Sequence, residues 1–293
     1  MVLVDNEDVR LGLFPNNEVE YRDFKSRIEH GLNLQCSSGF VKVKLIFESN
    51  ADLTDLAIAK KAIDDIYGGR DITTILHIPF FMYSQMDRQI EGKLFSLKYV
   101  AKFINDLKFD KVEIFDPHSN VLPALLNNVR VHYPVTTFVN NPGAYHRDIN
   151  YDLLFYPDNG AAKKYSELLP HHKYRFGNKK RNLETGEIIE YEVIADREDI
   201  EGKSILIVDD LCMGGRTFKE AANALRKMGA HHIDLYVTHL MKQAREFYRT
   251  RGNGSIDTIY SYDSLNNIPT FLTPEPTLEP TMNLSGFLPN TNA

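Results

Sequence analysis

The chain has 293 residues, enough for two domains of roughly 100–200 residues each. Hydrophobic residues at 43% and charged residues at 25% exclude an intrinsically disordered chain, and no apolar run is long enough to span a membrane as a helix. A net charge of −6 argues against nucleic acid as the main partner, but local cation clusters can still bind anionic small molecules. Cys36 and Cys212 are too few for a disulfide framework or a four-cysteine zinc site. The start lacks a basic region followed by an apolar run, so a cytoplasmic location with no membrane partner is expected.

Along the chain, strand-like runs alternate with amphipathic stretches. Val41 to Phe47 reads as a strand. Asp52 then caps a helix with Leu53, Leu56, Ala59, Ile63 and Ile66 at helical spacing, stopped by Gly68-Gly69. Ile72 to Ile78 is the next strand, followed by a helix with Val100, Phe103, Ile104 and Leu107 on one face. Lys111 to Phe115 is a strand ending at Asp116-Pro117-His118. A domain boundary falls near Tyr133-Pro134, giving segments 1–134 and 135–293. Tyr151 to Phe155 leads to Asp158 and a helix from about Gly160. The polar stretch Asn178 to Tyr191 reads as a mobile loop or hairpin. Ser204 to Val208 is a buried strand, followed by acids, glycines and a helix, and His232 to Val237 closes that unit. The tail from Pro274 is expected to wrap the surface. The alternation predicts parallel sheets with helices on both faces, and ligands at the carboxyl ends of the strands.

The strongest chemical signal is Ile205 to Thr217. An apolar strand delivers Asp209 and Asp210, and a turn of Met213, Gly214, Gly215, Arg216 and Thr217 opens a helix with Phe218, Ala221, Leu225 and Met228 inward. Backbone N–H groups at a helix start bind phosphate, glycines allow close approach, and carboxylates accept hydrogen bonds from sugar hydroxyls. The combination suits a ribose carrying a phosphate. The plainer alternative is a strand, a solvated acidic turn and a helix.

This segment resembles the ribose-phosphate signature of type I phosphoribosyltransferases, and the remaining motifs narrow the resemblance to the ribose-phosphate pyrophosphokinase family. Phe14-Pro15-Asn16-Asn17-Glu18 is similar to that family's adenine loop, and Ile78 to Arg88 to its ATP segment. Asp116-Pro117-His118, Tyr156-Pro157-Asp158-Asn159-Gly160, Asn178-Lys179-Lys180-Arg181, Thr238-His239 and Ser285-Gly286 follow in the family's order. The resemblance implies an α/β chain of two tandem type I phosphoribosyltransferase-like domains, each a mostly parallel sheet flanked by helices. It implies transfer of the β,γ-diphosphate of ATP to the C1 hydroxyl of ribose 5-phosphate, with Mg2+ and release of AMP. Lys179 and Arg181 would be catalytic cations. Phe14, Asn16, Glu18, Gln85, Asp87, Arg88 and His118 would bind ATP, the adenine loop coming from a neighbouring subunit of a homodimer or homohexamer. His118 and Asp158 would contact the metal. Asp209 and Asp210 would hold ribose hydroxyls, and Met213, Gly214, Gly215, Arg216 and Thr217 the phosphate end. Taken singly, His118 would be a capped or packed histidine, Lys179 to Arg181 a solvated basic face, and Phe14 core. Cys212 reads as a small apolar filler.

Four departures from the family stand out. Only thirteen residues precede Phe14, so a first helix is expected to be missing. Gln85-Met86 replaces the family's Arg-Gln, which removes a phosphate-directed cation. Gln89 to Lys93 is shorter and less basic than the family's regulatory loop. In the sugar loop, Met213 and Arg216 replace an acid and a small residue. A guanidinium fork on an open loop suits a diphosphate, so ADP-ribose stands beside ribose 5-phosphate as acceptor. Its product would feed rebuilding of a nicotinamide dinucleotide. A catalytically silent regulatory homologue and a nucleotide-binding module are the readings from other classes.

Overall fold

The computed structural model describes residues 1–23, 38–68, 71–141, 150–181, 188–251, 254–263 and 268–272. Gly69, Cys36, Ser285-Gly286 and the tail from Pro274 lie outside the described residues.

The first sheet has the order β2-β1-β5-β6-β7-β8. Its parallel strands are β5 (Ser38–Leu45), β6 (Asp71–Ile78), β7 (Lys111–Phe115) and β8 (Val129–His132). β1 (Val2–Val4) and β2 (Glu7–Asp8) add an antiparallel edge, and β3 (Arg10–Leu13) and β4 (Val19–Tyr21) form a separate hairpin. The core forms because alternate strand residues, Val41, Val43 and Leu45, face the apolar stripes of two helices. These are α1 (Ala51–Tyr67), with Leu56, Ala59 and Ile63 fully buried, and α2 (Ser96–Asp106), with Leu97, Ala101 and Ile104. α3 (Val121–Leu125) and α4 (Pro134–Asn140) follow.

The second sheet runs β11-β10-β9-β12-β13-β14-β15. β9 (Leu153–Tyr156), β10 (Tyr174–Arg181), β12 (Ser204–Cys212), β13 (His232–Leu240) and β14 (Thr258–Asp263) are parallel, and β11 (Ile188–Ile194) and β15 (Ile268–Leu272) are antiparallel edges. α5 (Asn159–Leu168), α6 (Arg197–Ile200), α7 (Arg216–Lys227) and α8 (Lys242–Arg251) connect them. Val135 and Phe138 of α4 pack into this second core, against Tyr236 and Tyr156. No helix among the described residues is long and apolar enough to cross a membrane.

Several boundaries depart from the sequence expectations. Asp52 is not the cap of α1: Asn50 occupies that place, and Asp52 reaches back to accept the N–H groups of Glu48 and Ser49. These bonds turn the chain, so β5 stops at Leu45 and excludes Phe47. On α2 the buried stripe is centred on Leu97, Ala101 and Ile104, with Val100, Phe103 and Leu107 on its flank. β9 begins at Leu153, two residues after Tyr151. β12 does not end before the acids: the ladder continues through Asp209, Leu211 and Cys212, opposite Val237, His239 and Leu240. Asn178 to Arg181 and Ile188 to Tyr191 pair as antiparallel arms, with Lys179 opposite Tyr191, in keeping with the hairpin reading.

Candidate active site

The two sheets meet at the carboxyl ends of β7 and β12. β7 is followed at once by Asp116, a residue with φ of 40° directly before Pro117. That combination is strained twice, because a side chain disfavours the left-handed region and a following proline favours extended backbone. The surroundings hold it in place. The Asp116 carboxylate, 1% exposed, pairs with Lys164 Nζ at 2.7 Å and accepts from Tyr165 Oη at 2.8 Å and Thr238 Oγ1 at 2.5 Å. All three donors belong to the second sheet and its helices. Lys164 Nζ also donates to the Pro117 carbonyl at 2.8 Å, and His239 Nε2–H to the Phe115 carbonyl at 3.0 Å. His118 is thereby carried to the second half of the chain, where its Nδ1–H donates to Asp210 Oδ2 at 2.8 Å.

The acid pair has two environments. Burial works against the Asp210 charge, but the hydrogen bond from His118 and attraction to Lys164 outweigh it and lower its pKa. Burial and repulsion from Asp210 push Asp209 well up. Burial also opposes the charge on Lys164, yet Asp116, Asp210 and Asp209 together raise its pKa. Asp210 is thus an anion held between a histidine and a lysine, and Asp209 is the member of the pair whose charged form is disfavoured.

Asp158 caps α5, accepting from Ala161 N–H at 3.0 Å through Oδ1. Its Oδ2 takes Lys179 Nζ at 2.5 Å, from β10. Burial raises the Asp158 pKa, but Lys179 and the cap lower it further, so the carboxylate stays charged. Tyr191 crosses over Gly177 to donate to the Pro157 carbonyl at 3.0 Å, which ties the hairpin to the segment holding Asp158. A Cβ on Gly177 would lie 2.2 Å from the Tyr191 hydroxyl, so the crossing requires glycine there.

These groups surround one cavity of about 960 Å³. Gln85, His118, Asp158, Lys179, Asp209, Asp210 and the whole loop Met213 to Thr217 line it. That volume is at the upper end of the range for small-molecule sites. Gly215, with φ of 79°, starts α7 without a side-chain cap, which leaves the first N–H groups of the helix for an anion. Met213 is 51% exposed, and a Cβ on Gly214 would meet nothing within 4 Å. The loop is therefore open on that side.

Other expected site residues lie elsewhere. Phe14, Asn16 and Glu18 occupy the turn of the β3–β4 hairpin and do not line the cavity. The turn is closed by Phe14 N–H to the Glu18 carbonyl at 2.8 Å and Glu18 N–H to Asn16 Oδ1 at 3.2 Å. Phe14 is 49% exposed, so it is not core. Asp87 acts on His118 only through its charge, and Arg88 is exposed. Arg181 pairs through its backbone with Ile188, and its side chain lies outside the described set. Cys212 is fully buried and burial pushes its thiol up to about 12, as expected of a filler. Sequence reading missed Lys164, Tyr165 and the anchoring role of Asp116. The available signal was Lys163-Lys164 inside a helix that starts with Asp-Asn-Gly.

The phosphoribosyl transferase domain family matches residues 172–266, which contain the hairpin, the acids and the glycine loop. The ribose-phosphate pyrophosphokinase of Pyrococcus abyssi is 33% identical over 171 residues, 55% of each chain. That of Pasteurella multocida is 24% identical over 243 residues, 79% of this chain and 71% of the relative. Phosphoribosylpyrophosphate synthetase of Mycobacterium smegmatis superposes with a TM-score of 0.64 at 20% identity, covering 88% of this chain and 82% of that one. The chain is similar to ribose-phosphate pyrophosphokinases over much of its length. Its fold is that of the phosphoribosyltransferases, in two α/β halves. The match to the Pyrococcus abyssi pyrophosphokinase spans about half of that relative's length.

The His118–Asp210 bond sets a pH dependence that spans the two halves of the chain. The bond to Asp210 raises the His118 pKa above 6.5, more than its burial lowers it. A raised folded-state value contributes stability in full below about pH 6.5, and the contribution fades as pH climbs through the folded value. His118→Gln should therefore lower the thermal midpoint most at about pH 6, and the gap from the unaltered chain should narrow by about pH 9. A gap independent of pH would show that the pair carries no proton linkage.

Proposed function

We propose that the chain transfers the β,γ-diphosphate of ATP to the C1 hydroxyl of a 5-phosphorylated ribose and releases AMP. One observation carries this reading. A single cavity gathers a lysine on a hairpin limb, an imidazole from the first half, an acid pair and an uncapped helix start behind glycines. The C1 oxygen would attack the β-phosphorus, and the bond from that phosphorus to the oxygen bridging the α- and β-phosphates would break. The electron pair would leave on the AMP phosphate, and the C1 hydroxyl proton would pass to an acceptor or solvent.

Each residue type answers a need of that reaction. Lys179 would neutralise charge growing on the transferring group, together with Arg181. Asp209 and Asp210 would accept from the ribose hydroxyls, and the α7 start would hold the phosphate end. Mg2+ would be held by Asp158 oxygens and by His118 Nε2, the ring nitrogen not used in the bond to Asp210, an oxygen and imidazole set that suits it. A bound magnesium nucleotide would bring partial neutralisation of the phosphates. Phe14, Asn16 and Glu18 would read adenine across a subunit contact in a homodimer or homohexamer, with Gln85, Asp87 and Arg88 along the nucleotide.

The relatives carry ribose phosphate in their name, which supports ribose 5-phosphate as the acceptor. ADP-ribose is a second reading, favoured by the loop: Met213 and Arg216 are exposed at a side that Gly214 leaves open. A diphosphate needs such room and a guanidinium. The test is AMP release from magnesium ATP with each acceptor offered separately and product masses determined. AMP with ribose 5-phosphate alone supports the first reading, and AMP with ADP-ribose alone supports the second. AMP with neither acceptor overturns both and leaves a silent homologue or nucleotide-binding module.

A further inference from the structure

The sugar-phosphate loop is braced from below by α8, a helix to which neither the motifs nor the family resemblance gives a role. α8 turns Ala244, Phe247 and Tyr248 inward, spaced as one helical face. Tyr248 is 3% exposed, and its hydroxyl donates to the Gly215 carbonyl at 3.0 Å. The same hydroxyl lies against the thiol of the buried Cys212. Phe247 and Tyr248 press on the loop so closely that a Cβ at Gly215 would lie 2.8 Å from Phe247 Cδ1 and 3.0 Å from Tyr248 Cζ. Gly215 is thus required twice, by its φ of 79° and by this contact.

The bond has a consequence for the peptide that follows it. In a trans peptide the carbonyl and the next N–H point in opposite directions. With the Gly215 carbonyl held by Tyr248 and by Lys219 N–H at 3.1 Å, the Arg216 N–H is directed the other way, out of the helix start. Gly215 and Arg216 both line the cavity. We infer that Tyr248 is a positioning residue for the acceptor: it fixes the Gly215–Arg216 peptide so that the α7 start meets the phosphate end of the sugar in a preset orientation. This rests on the diphosphotransfer reading for its kinetic part, and on phosphate binding alone for its equilibrium part.

Tyr248→Phe in the full chain removes the hydroxyl and keeps the ring that packs the core. Calorimetric titration with ribose 5-phosphate and, separately, with ADP-ribose should show weaker binding of the acceptor by about three- to tenfold, the loss expected for one neutral hydrogen bond. KM for the acceptor should rise by the same factor, with KM for ATP and kcat within about twofold. An unchanged acceptor affinity would overturn the proposal. So would an equal weakening toward ATP, which would mark a general loss of packing. If the unaltered chain binds an acceptor but releases no AMP, the diphosphotransfer reading falls, and the calorimetric comparison still decides the role of Tyr248. An unaltered chain that binds neither acceptor overturns the role of Tyr248 as well.

Discussion

Lys179→Ala should lower the rate of AMP release by about a hundredfold or more, equivalent to roughly 3–4 kcal/mol of transition-state stabilisation. Lys179 projects from β10 into the cavity and meets Asp158 at 2.5 Å. In the resting chain that carboxylate holds the ammonium, and an incoming polyphosphate would compete for it. The substitution leaves the helix cap at Asp158 in place, because Ala161 N–H binds the other oxygen. The hairpin register is backbone-made and survives as well. The loss should therefore appear in kcat, with little change in thermal midpoint and a modest change in KM for ATP. Lys179→Arg keeps the charge and should retain more activity than alanine. A kcat within tenfold of the unaltered chain for Lys179→Ala would show that the ammonium does not face the transferring group.

Asp116→Ala should cost about 3–5 kcal/mol of stability, the range for removing one partner of a buried ion pair. Asp116 is buried and is bonded by Lys164, Tyr165 and Thr238. Its loss strands the Lys164 ammonium beneath the cavity and leaves two hydroxyls without their acceptor. Asp116→Asn keeps the tolerance for positive φ and one acceptor oxygen, so it isolates the charge. It should lie between alanine and the unaltered chain. Denaturant titration reads the cost directly. Because His118 is two residues on, activity should fall further than the fraction folded explains. A loss below about 1 kcal/mol for Asp116→Ala would show that the anchor is dispensable and that other contacts join the two halves.

Several features were legible from residue order. Strand and helix positions follow from local periodicity, a property of neighbouring residues. The acids, the glycine loop and the hairpin cations were legible because phosphate chemistry needs particular residue types at short spacing. Asp209, Asp210, Gly214, Gly215 and Lys179 carry that signal in residue order alone, and they line one cavity.

Long-range placement was not legible. The continuation of β12 through Asp209 to Cys212 depends on pairing with Val237, His239 and Leu240 on β13, which no local pattern announces. The burial of Asp116 depends on donors 48, 49 and 122 residues away along the chain, at Lys164, Tyr165 and Thr238. No local pattern marks Tyr248; the fold sets its hydroxyl under Gly215, 33 residues earlier. Local spacing reports what a segment of this chain can form. The partner of a buried charge or hydroxyl is chosen by the global packing of two sheets, since a polar group there must find whichever donor the fold brings within reach.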